Sequence, residues 1–268
     1  MRQLDLQFGG YAIRGYEAGA GSPLLLIHGI GPGTSIPANF SSVAPALGEH
    51  FHLYGCDFVG FGGSARKKET PYFDFALWIR QAQFMLDRIP AGPVYVLGHS
   101  MGGAIALRLA AANPRIAAVM TSGAAGGTLE LNGHVTSFWK APRTRDDIRA
   151  AMRVAMHDVS GITDAIIEER FKSITSPGYA EYFDSMLGSD QQQKLDQARV
   201  PAGELAKIEA RVLVMHGRND LPCPAEETAL EIYRGIRNAD LHLFANCGHA
   251  IPREYPQRVV ALARMWFQ

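Results

Sequence analysis

The stretch that decides the fold is Val94-Tyr95-Val96-Leu97-Gly98-His99-Ser100-Met101-Gly102-Gly103. It begins as an apolar strand and leads into an alanine-rich, helix-like segment that runs to about Asn113. Small residues on both sides of Ser100 allow a sharp bend from strand to helix, with the hydroxyl projecting from the sheet. The pattern predicts a nucleophilic serine at a helix N-terminus, whose dipole favours a developing oxyanion. A glycine-rich turn without catalysis is the alternative.

Strand-like and helix-like segments alternate on both sides of this stretch. Apolar runs of strand length lie at 23–28, 52–57, 117–122, 211–216 and 239–244, and helical patterns lie near 38–47, 72–89, 225–235 and 254–267. A tight turn at Gly9-Gly10 joins two earlier strands, 4–8 and 11–17. This alternation predicts an α/β protein with a mostly parallel sheet and helices on both faces. Ligands of such sheets bind at the carboxyl ends of the strands.

The alternation stops between residues 125 and 203. This segment is more charged and shows amphipathic helical patterns at 144–157 and 162–173, without a clear strand. We therefore predict a core formed by 1–124 and 204–268, with 125–203 inserted as a helical cap. Ordinary surface helices on the main sheet are the alternative.

Composition and charge narrow the class of protein. The chain has 268 residues, of which 47% are hydrophobic, and its 26 basic side chains balance 26 acidic ones. Neither nucleic acid nor a membrane is an expected partner, because there is no strong positive field and no apolar run approaches the roughly 20 residues that cross a bilayer. The amino terminus has no secretory signal pattern, and the three cysteines fit neither a disulfide framework nor a metal site. We expect a cytoplasmic protein with a small-molecule substrate and neither metal nor organic cofactor; homo-oligomer formation stays open.

An unaided serine is a poor nucleophile, so a histidine base and an orienting acid are expected elsewhere in the chain. His249 follows the last predicted strand, and Asp220 follows the strand before it, so both lie at the same rim as Ser100. The loop 122–127, a rival position for the acid, holds no carboxylate. The sequence predicts a triad of Ser100, Asp220 and His249; the alternatives are a surface-loop histidine and a solvated carboxylate. Three other acids are poorer candidates: Asp57, Asp240 and Glu254.

A second glycine-rich loop, His28-Gly29-Ile30-Gly31-Pro32-Gly33, follows the strand at 24–27. Its glycines let the backbone fold back beneath a ligand. We expect the N–H groups of Ile30 and Met101 to form an oxyanion hole, since one donor comes from this loop and the other from the residue after the nucleophile. A loop that is merely rich in turn residues is the alternative. A phosphate-binding loop is excluded, because no Lys-Ser or Lys-Thr follows the glycines.

Together, these segments resemble the α/β-hydrolase superfamily over nearly the whole chain, with 125–203 as its variable cap. Within it, 28–33 followed by Asn39-Phe40, together with Ser100-Met101-Gly102-Gly103-Ala104, is similar to the meta-cleavage-product hydrolases. Those enzymes cleave carbon–carbon bonds in vinylogous 1,5-diketones from aromatic catabolism. The resemblance implies an α/β-hydrolase fold and a serine-dependent hydrolase with triad residues in the chain order Ser, Asp, His.

The resemblance also implies substrate contacts. An asparagine at the position of Asn39 and a cap arginine contact the dienoate end in that family, and Arg170 is the best counterpart of the arginine. Asn39 as a helix cap and Arg170 as a solvated residue are the alternatives. His99, which we also expect at the substrate, replaces an asparagine of the family, and Ala250 replaces a tryptophan. These departures leave an esterase, thioesterase or amidase open, and a non-catalytic ligand receptor on the same fold is a further alternative.

Overall fold

The computed structural model describes residues 1–267 and contains one eight-stranded sheet. Its strands are β1 (Arg2–Phe8), β2 (Tyr11–Ala18), β3 (Ser22–Ile27), β4 (Phe51–Cys56), β5 (Val94–His99), β6 (Ile116–Ser122), β7 (Arg211–Gly217) and β8 (Ala239–Phe244). They lie in the order β1-β2-β4-β3-β5-β6-β7-β8. β2 pairs antiparallel with β1 and with β4, and all other neighbours are parallel. The predicted mostly parallel sheet is confirmed.

The two faces of the sheet are both covered, which is why its central strands are apolar almost throughout. In β3, Leu25 and Ile27 belong to one core cluster, whereas Leu24 and Leu26 belong to the other. Side chains alternate between the faces of a strand, so each face of β3 contributes to its own core. This burial fixes the register of the strands, because a shift by one residue would exchange the two faces.

Helices follow most of the strands. Before β6 they are α1 (Ile36–Phe40), α2 (Ala44–Gly48), α3 (Phe75–Asp87) and α4 (Met101–Ala112). Between β6 and β7 they are α5 (Gly133–Phe138), α6 (Arg145–Ala155), α7 (Asp164–Ile174), α8 (Tyr179–Leu187), α9 (Gln191–Ala198) and α10 (Ala202–Leu205). After β7 they are α11 (Ala229–Gly235), α12 (Ile251–Glu254) and α13 (Pro256–Trp266). No helix within residues 1–267 meets the length and apolarity needed to span a membrane.

Two predicted helices are each divided in two, and both divisions occur near proline. The pattern at 38–47 forms α1 and α2, and Pro45 lies in the first turn of α2. The pattern at 254–267 is interrupted at Tyr255, directly before Pro256. A residue that precedes proline is disfavoured in the helical region, whereas proline itself is well accommodated in the first turn. The single helices expected at these places were therefore wrong in extent.

The segment between β6 and β7 is helical, and strands are absent from its described residues, 123–210. Its helix α6 begins at Thr144 with a reciprocal capping box, in which the Thr144 hydroxyl and the Asp147 carboxylate each accept a backbone N–H of the other residue. The division into a core of 1–124 and 204–268 and a cap of 125–203 stays a prediction.

Candidate active site

Ser100 lies in the turn between β5 and α4 with φ 55° and ψ −126°, a conformation that costs free energy for a non-glycine residue. The glycines around it permit close backbone contacts. A Cβ on Gly98 would lie 2.5 Å from the Gly102 carbonyl oxygen, and one on Gly102 would lie 2.4 Å from that of His28. Larger residues at these positions would push the strand and the helix apart. The turn therefore has the sharp geometry that presents a serine at the edge of a sheet.

Asp220 and His249 form a buried hydrogen-bonded pair. The His249 Nδ1–H donates to Asp220 Oδ2 at 2.8 Å, and both residues are about 5% exposed or less. This assignment leaves His249 Nε2 as an acceptor. Gly123, in the loop after β6, packs behind the pair, because a Cβ there would lie 3.0 Å from His249 Nδ1. Its positive φ of 58° also suits glycine.

Two further groups hold the Asp220 carboxylate. The Cys223 N–H donates to Oδ1 at 2.9 Å, and His216 Nε2 lies 3.1 Å from Oδ2. Burial alone would raise the pKa of Asp220, but His249 and His216 outweigh burial and hold that pKa well below its usual range. The carboxylate is consequently ionised at neutral pH. A buried anion in this position orients the His249 ring and stabilises its protonated form.

Ser100 and His249 line one small cavity together with Ile30 and Met101. The loop that carries Ile30 runs against the serine, since a Cβ on Gly29 would lie 2.7 Å from the Ser100 Cβ. Within residues 1–267, the Ser100 hydroxyl and the N–H groups of Ile30 and Met101 have no hydrogen-bond partner. The predicted oxyanion donors are thus available beside the serine. Ser100 and His249 make no direct hydrogen bond among these residues, and such contacts are often long before substrate binds.

His99 lies between the sheet and the side of the site on which the substrate is expected to bind. Its Nδ1–H donates to the Ser122 carbonyl oxygen at 3.0 Å, and its ring centroid lies 5.0 Å from that of His249. Burial, with a smaller contribution from His249, lowers the pKa of His99 to about 3. The ring is therefore neutral at physiological pH and offers Nε2 as an acceptor. Nε2 has no partner within the described chain, and His99 lines a second cavity.

This second cavity, of about 60 Å³, also borders His249 and carries the predicted substrate contacts Asn39 and Arg170. Asn39 Oδ1 accepts the Gly29 N–H at 2.9 Å, so its side chain supports the glycine-rich loop while its amide N–H groups stay without a partner among residues 1–267. Arg170 lies on α7 and is half-buried. The structure therefore brings Asn39, His99 and Arg170 to one cavity beside the Asp220–His249 pair.

Sequence reasoning missed two residues of the site. Arg253, in the short helix α12, lines the same cavity as Arg170, and so does Ala250, three residues before it. A helix of four residues has no periodicity that could have identified Arg253 from the sequence. His216 contacts the acid directly, and its position four residues before Asp220 indicates this only once the turn after β7 is known.

The acids judged poorer from the sequence have structural contacts. Asp57 accepts hydrogen bonds from the Tyr16 hydroxyl and from the N–H groups of Ile36 and Gly63, at 2.8–2.9 Å. Glu254 accepts the Gly248 N–H at 2.8 Å and the His157 N–H at 2.9 Å, so it ties the loop before His249 to the end of α6. Asp240 is exposed at the start of β8.

One group of side chains has the spacing of a metal site. Ligand atoms of Asp220, Cys223 and His249 all lie within 4.8 Å of one another. Burial raises the pKa of the Cys223 thiol well above its usual value, which disfavours the thiolate that binds metals. Asp220 Oδ2 already accepts from His249, and His216 Nε2 lies 3.1 Å from it. These contacts favour a hydrogen-bonded cluster over a metal centre.

Comparison with known proteins agrees with this geometry. Residues 24–262 match the alpha/beta hydrolase family. The chain belongs to that family. It is 31% identical over 255 residues to the 2-hydroxy-6-oxo-2,4-heptadienoate hydrolase of Pseudomonas putida F1, covering 95% of this chain and 92% of that protein. It is 30% identical over 248 residues to the 2-hydroxymuconate semialdehyde hydrolase of Pseudomonas sp. strain CF600, covering 92% and 87%.

Solved structures give the same relationship. The meta-cleavage product hydrolase of Pseudomonas fluorescens IP01, as a serine-to-alanine variant complexed with acetates, superimposes with a TM-score of 0.90 at 27% identity, covering 96% of this chain and 94% of that one. The predicted α/β-hydrolase fold and the resemblance to meta-cleavage-product hydrolases are therefore confirmed, and the relatives are hydrolases.

Proposed function

We propose that this member of the alpha/beta hydrolase family is a serine-dependent hydrolase of a small, carboxylate-bearing vinylogous diketone, in which it cleaves a carbon–carbon bond. The observation that carries the proposal is the position of His249, which is held by Asp220 and lines both the cavity of Ser100 and a cavity with arginine side chains. A substrate that spans both would place its carbonyl group beside the serine and its carboxylate among cations. The relatives named for 2-hydroxy-6-oxo-dienoate hydrolysis support the same substrate class, and with it a place in aromatic catabolism.

The triad residues and the two oxyanion donors each have a role in this reaction. His249 Nε2 takes the Ser100 proton as the hydroxyl attacks the ketone, and Asp220 holds the imidazole by Nδ1. The N–H groups of Ile30 and Met101 bind the oxyanion, and each such donor is typically worth about 2.7–4 kcal/mol of transition-state stabilisation. Collapse of the tetrahedral intermediate breaks the carbon–carbon bond, and its electron pair passes into the keto tautomer of the dienoate end as a dienolate, which takes the proton from His249 at the departing carbon. Water, deprotonated by His249, then attacks the acyl-serine and releases a carboxylic acid, and the proton returns to Ser100. No step requires a metal or an organic cofactor.

The two cavities differ in what they accommodate. The cavity beside Asn39, His99 and Arg170 offers amide and guanidinium donors and one neutral acceptor, which suits a 2-hydroxy-dienoate end. The cavity beside Ser100 has a volume of about 20 Å³ and apolar walls that include Ala125, Leu129, Val135, Trp139, Leu195 and Pro222. This volume admits a group of roughly one or two water molecules in size. A short uncharged acyl group, such as acetyl or formyl, fits better than an aromatic one.

We further propose that 125–203 acts as the cap of this site. The cavity walls include side chains of α5, α6 and α7, namely Phe138, Ile148, Met152 and Arg170. These side chains line the same cavity as His99 and His249, which belong to the sheet side of the site. Residues from the segment therefore close the site from the side opposite Ser100. Exchange of substrates then requires these helices to move, or the chain between them to open.

An ester or thioester substrate is the second candidate. The same serine, base and oxyanion donors serve any acyl transfer, and the chain has Ala250 where the resemblance implies a tryptophan. The loss of that large side chain changes the wall of the cavity beside His249. An enzyme adapted to simple esters would need the reactive serine but no cation in this cavity.

A spectrophotometric comparison tests the proposal. The wild-type protein is mixed with a 2-hydroxy-6-oxo-2,4-heptadienoate and, separately, with p-nitrophenyl acetate, and the loss of dienoate absorbance and the release of nitrophenolate are recorded. We expect kcat/KM for the dienoate to exceed that for the ester by at least about a hundredfold. Rapid hydrolysis of the ester without consumption of the dienoate would establish the second candidate. Failure to turn over either compound would favour a ligand receptor.

A further inference from the structure

We propose that Arg253 acts with Arg170 as a two-arginine site for the substrate carboxylate, which makes Arg253 a specificity-determining residue. This inference rests on the proposed function, because it concerns the cavity beside His249. Arg170 and Arg253 both line that cavity, and they approach it from different elements, α7 and α12. Two guanidinium groups on opposite elements can share one carboxylate, with each group donating to one or both of its oxygens.

Both arginines are half-buried, and neither guanidinium makes a hydrogen bond or an ion pair within residues 1–267. Three other arginines of the helical segment form ion pairs, namely Arg143 with Asp184, Arg145 with Glu168 and Arg149 with Asp164, and Arg153 is exposed to solvent. Partly buried cations without a carboxylate partner are costly unless a ligand supplies the anion. The difference between the paired and the unpaired arginines therefore points to an anion that the protein itself does not provide.

The charges near the two arginines agree with this reading. Burial and, to a smaller extent, the positive charge of Arg253 together lower the pKa of Arg170 to about 10. The charge of Glu169 raises the pKa of both arginines. Glu169 is exposed, however, and forms no ion pair with either guanidinium group within residues 1–267. Glu254, which follows Arg253, is already engaged by the N–H groups of Gly248 and His157. A bound carboxylate would relieve the repulsion between the two guanidinium groups.

Ala250 is what gives Arg253 access to this cavity. It caps α12 and lines the cavity beside His249, and Arg253 follows it by three residues, close to one helical turn. A large side chain at position 250 would occupy the space between Arg253 and the substrate. Ala250 and Arg253 therefore together favour a ligand that has one carboxylate at this end of the cavity.

The cavity beside Ser100 restricts the ligand further. Its described lining residues include no Lys or Arg, so a second carboxylate at the acyl end would find no cationic partner there. The substrate class that the two cavities select is a monocarboxylate with a short, uncharged acyl end. A dienedioate would have to bury its second charge against apolar walls, at a considerable cost in free energy.

Binding of sorbate, a dienoate without the reacting ketone, tests the role of Arg253 without any turnover. Its affinity is measured by calorimetric titration of the wild-type protein and of Arg253→Gln, Arg170→Gln and the double variant, with neutral sorbamide as the matched ligand. Arg264→Gln, on the exposed side of α13, is the matched arginine control. We expect each single cavity variant to weaken sorbate about 10- to 100-fold and to leave sorbamide within about threefold, because a charged hydrogen bond is lost. The control should bind both ligands like the wild type.

Two results would overturn the inference. One is sorbate affinity within about twofold of the wild type in Arg253→Gln, and the other is an equal loss for sorbate and sorbamide, which would indicate a displaced helix. Arg253→Lys separates charge from geometry, since it should restore part of the affinity but not all of it. The proposed function fails separately, if the wild-type protein binds sorbate but does not cleave the dienoate.

Discussion

The two walls of the active site are built in different ways. The wall formed by the sheet consists of Ser100, the Asp220–His249 pair and backbone N–H groups, held by glycines at which a Cβ would meet another atom at 3.0 Å or less. The opposite wall consists of side chains from α5, α6 and α7, such as Phe138, Met152 and Arg170. Backbone contacts of this kind tolerate almost no change, whereas side chains on helices are readily exchanged. Under the proposed function, the wall formed by the sheet carries the reaction and the opposite wall contributes to the choice of substrate.

The largest effect is expected from Ser100→Ala, on the wall formed by the sheet. Turnover of the best substrate should fall by several powers of ten, because the nucleophile is lost. The fold should survive, since the serine side chain makes no hydrogen bond within residues 1–267 and alanine is smaller. Steady-state kinetics and thermal unfolding check both statements. A variant that retains more than about a tenth of the wild-type rate would disprove the assignment of the nucleophile.

Asp220→Asn should have the next largest effect. The amide preserves the shape of the carboxylate but presents the wrong partner to His249 Nδ1, and the loss of rate is expected to reach about ten-thousand-fold. Asp240→Asn is the matched control, because Asp240 is exposed at the start of β8, and its rate should stay within about twofold. The kcat of the two variants is compared on the same substrate. A slow Asp240→Asn variant beside an active Asp220→Asn variant would place the acid elsewhere.

On the opposite wall, Arg170→Ala should act on one class of substrate only. We expect kcat/KM for a dienoate to fall about 10- to 150-fold, because a charged hydrogen bond to the carboxylate is worth roughly 1.5–3 kcal/mol. Hydrolysis of p-nitrophenyl acetate should stay nearly unchanged, since this neutral ester has no carboxylate, and it serves as the control for a displaced helix. Equal losses on both substrates would make Arg170 structural and would favour the esterase.

The two walls also differ in how far the sequence predicts them. The central strands were predictable because they are buried on both faces and therefore apolar almost throughout, as Leu24 to Ile27 illustrate. The ends of β7 and β8 then placed Asp220 and His249 on adjacent loops of one edge, which pattern alone could anticipate. Arg253 could not be anticipated in this way. Its role depends on which side of a four-residue helix faces the cavity, and a helix this short has no periodicity to read.

His216 illustrates a second limit of predicting the site from the sequence. The sequence gives the spacing between His216 and Asp220, but the contact between Nε2 and the carboxylate arises from the turn after β7, in which the Asp220 N–H donates to the Gly217 carbonyl oxygen. Helix boundaries were missed for a related reason, since the strength of a proline break depends on local packing. Local contacts of loops follow from tertiary structure, whereas the core strands follow from burial alone.

The smallest expected effect concerns His99, a buried residue at the end of β5 that lines the second cavity. Burial lowers its pKa to about 3 in the folded protein, so the unfolded chain binds a proton below about pH 6.5 that the folded chain does not. The free energy of unfolding should therefore fall as the pH decreases from about 6.5 towards 3, and it should be unaffected by this group above that range.

His99→Asn removes the titration. The wild type should accordingly lose about 1 kcal/mol relative to the variant between pH 6 and pH 5, measured by urea unfolding at both values. His28, which is also buried with a lowered pKa of about 4, titrates equally in both proteins and cancels in the difference. A difference that does not change with pH would mean that folded His99 takes up the proton normally, and its Nε2 would then be a donor towards the substrate rather than the acceptor proposed for the sheet wall.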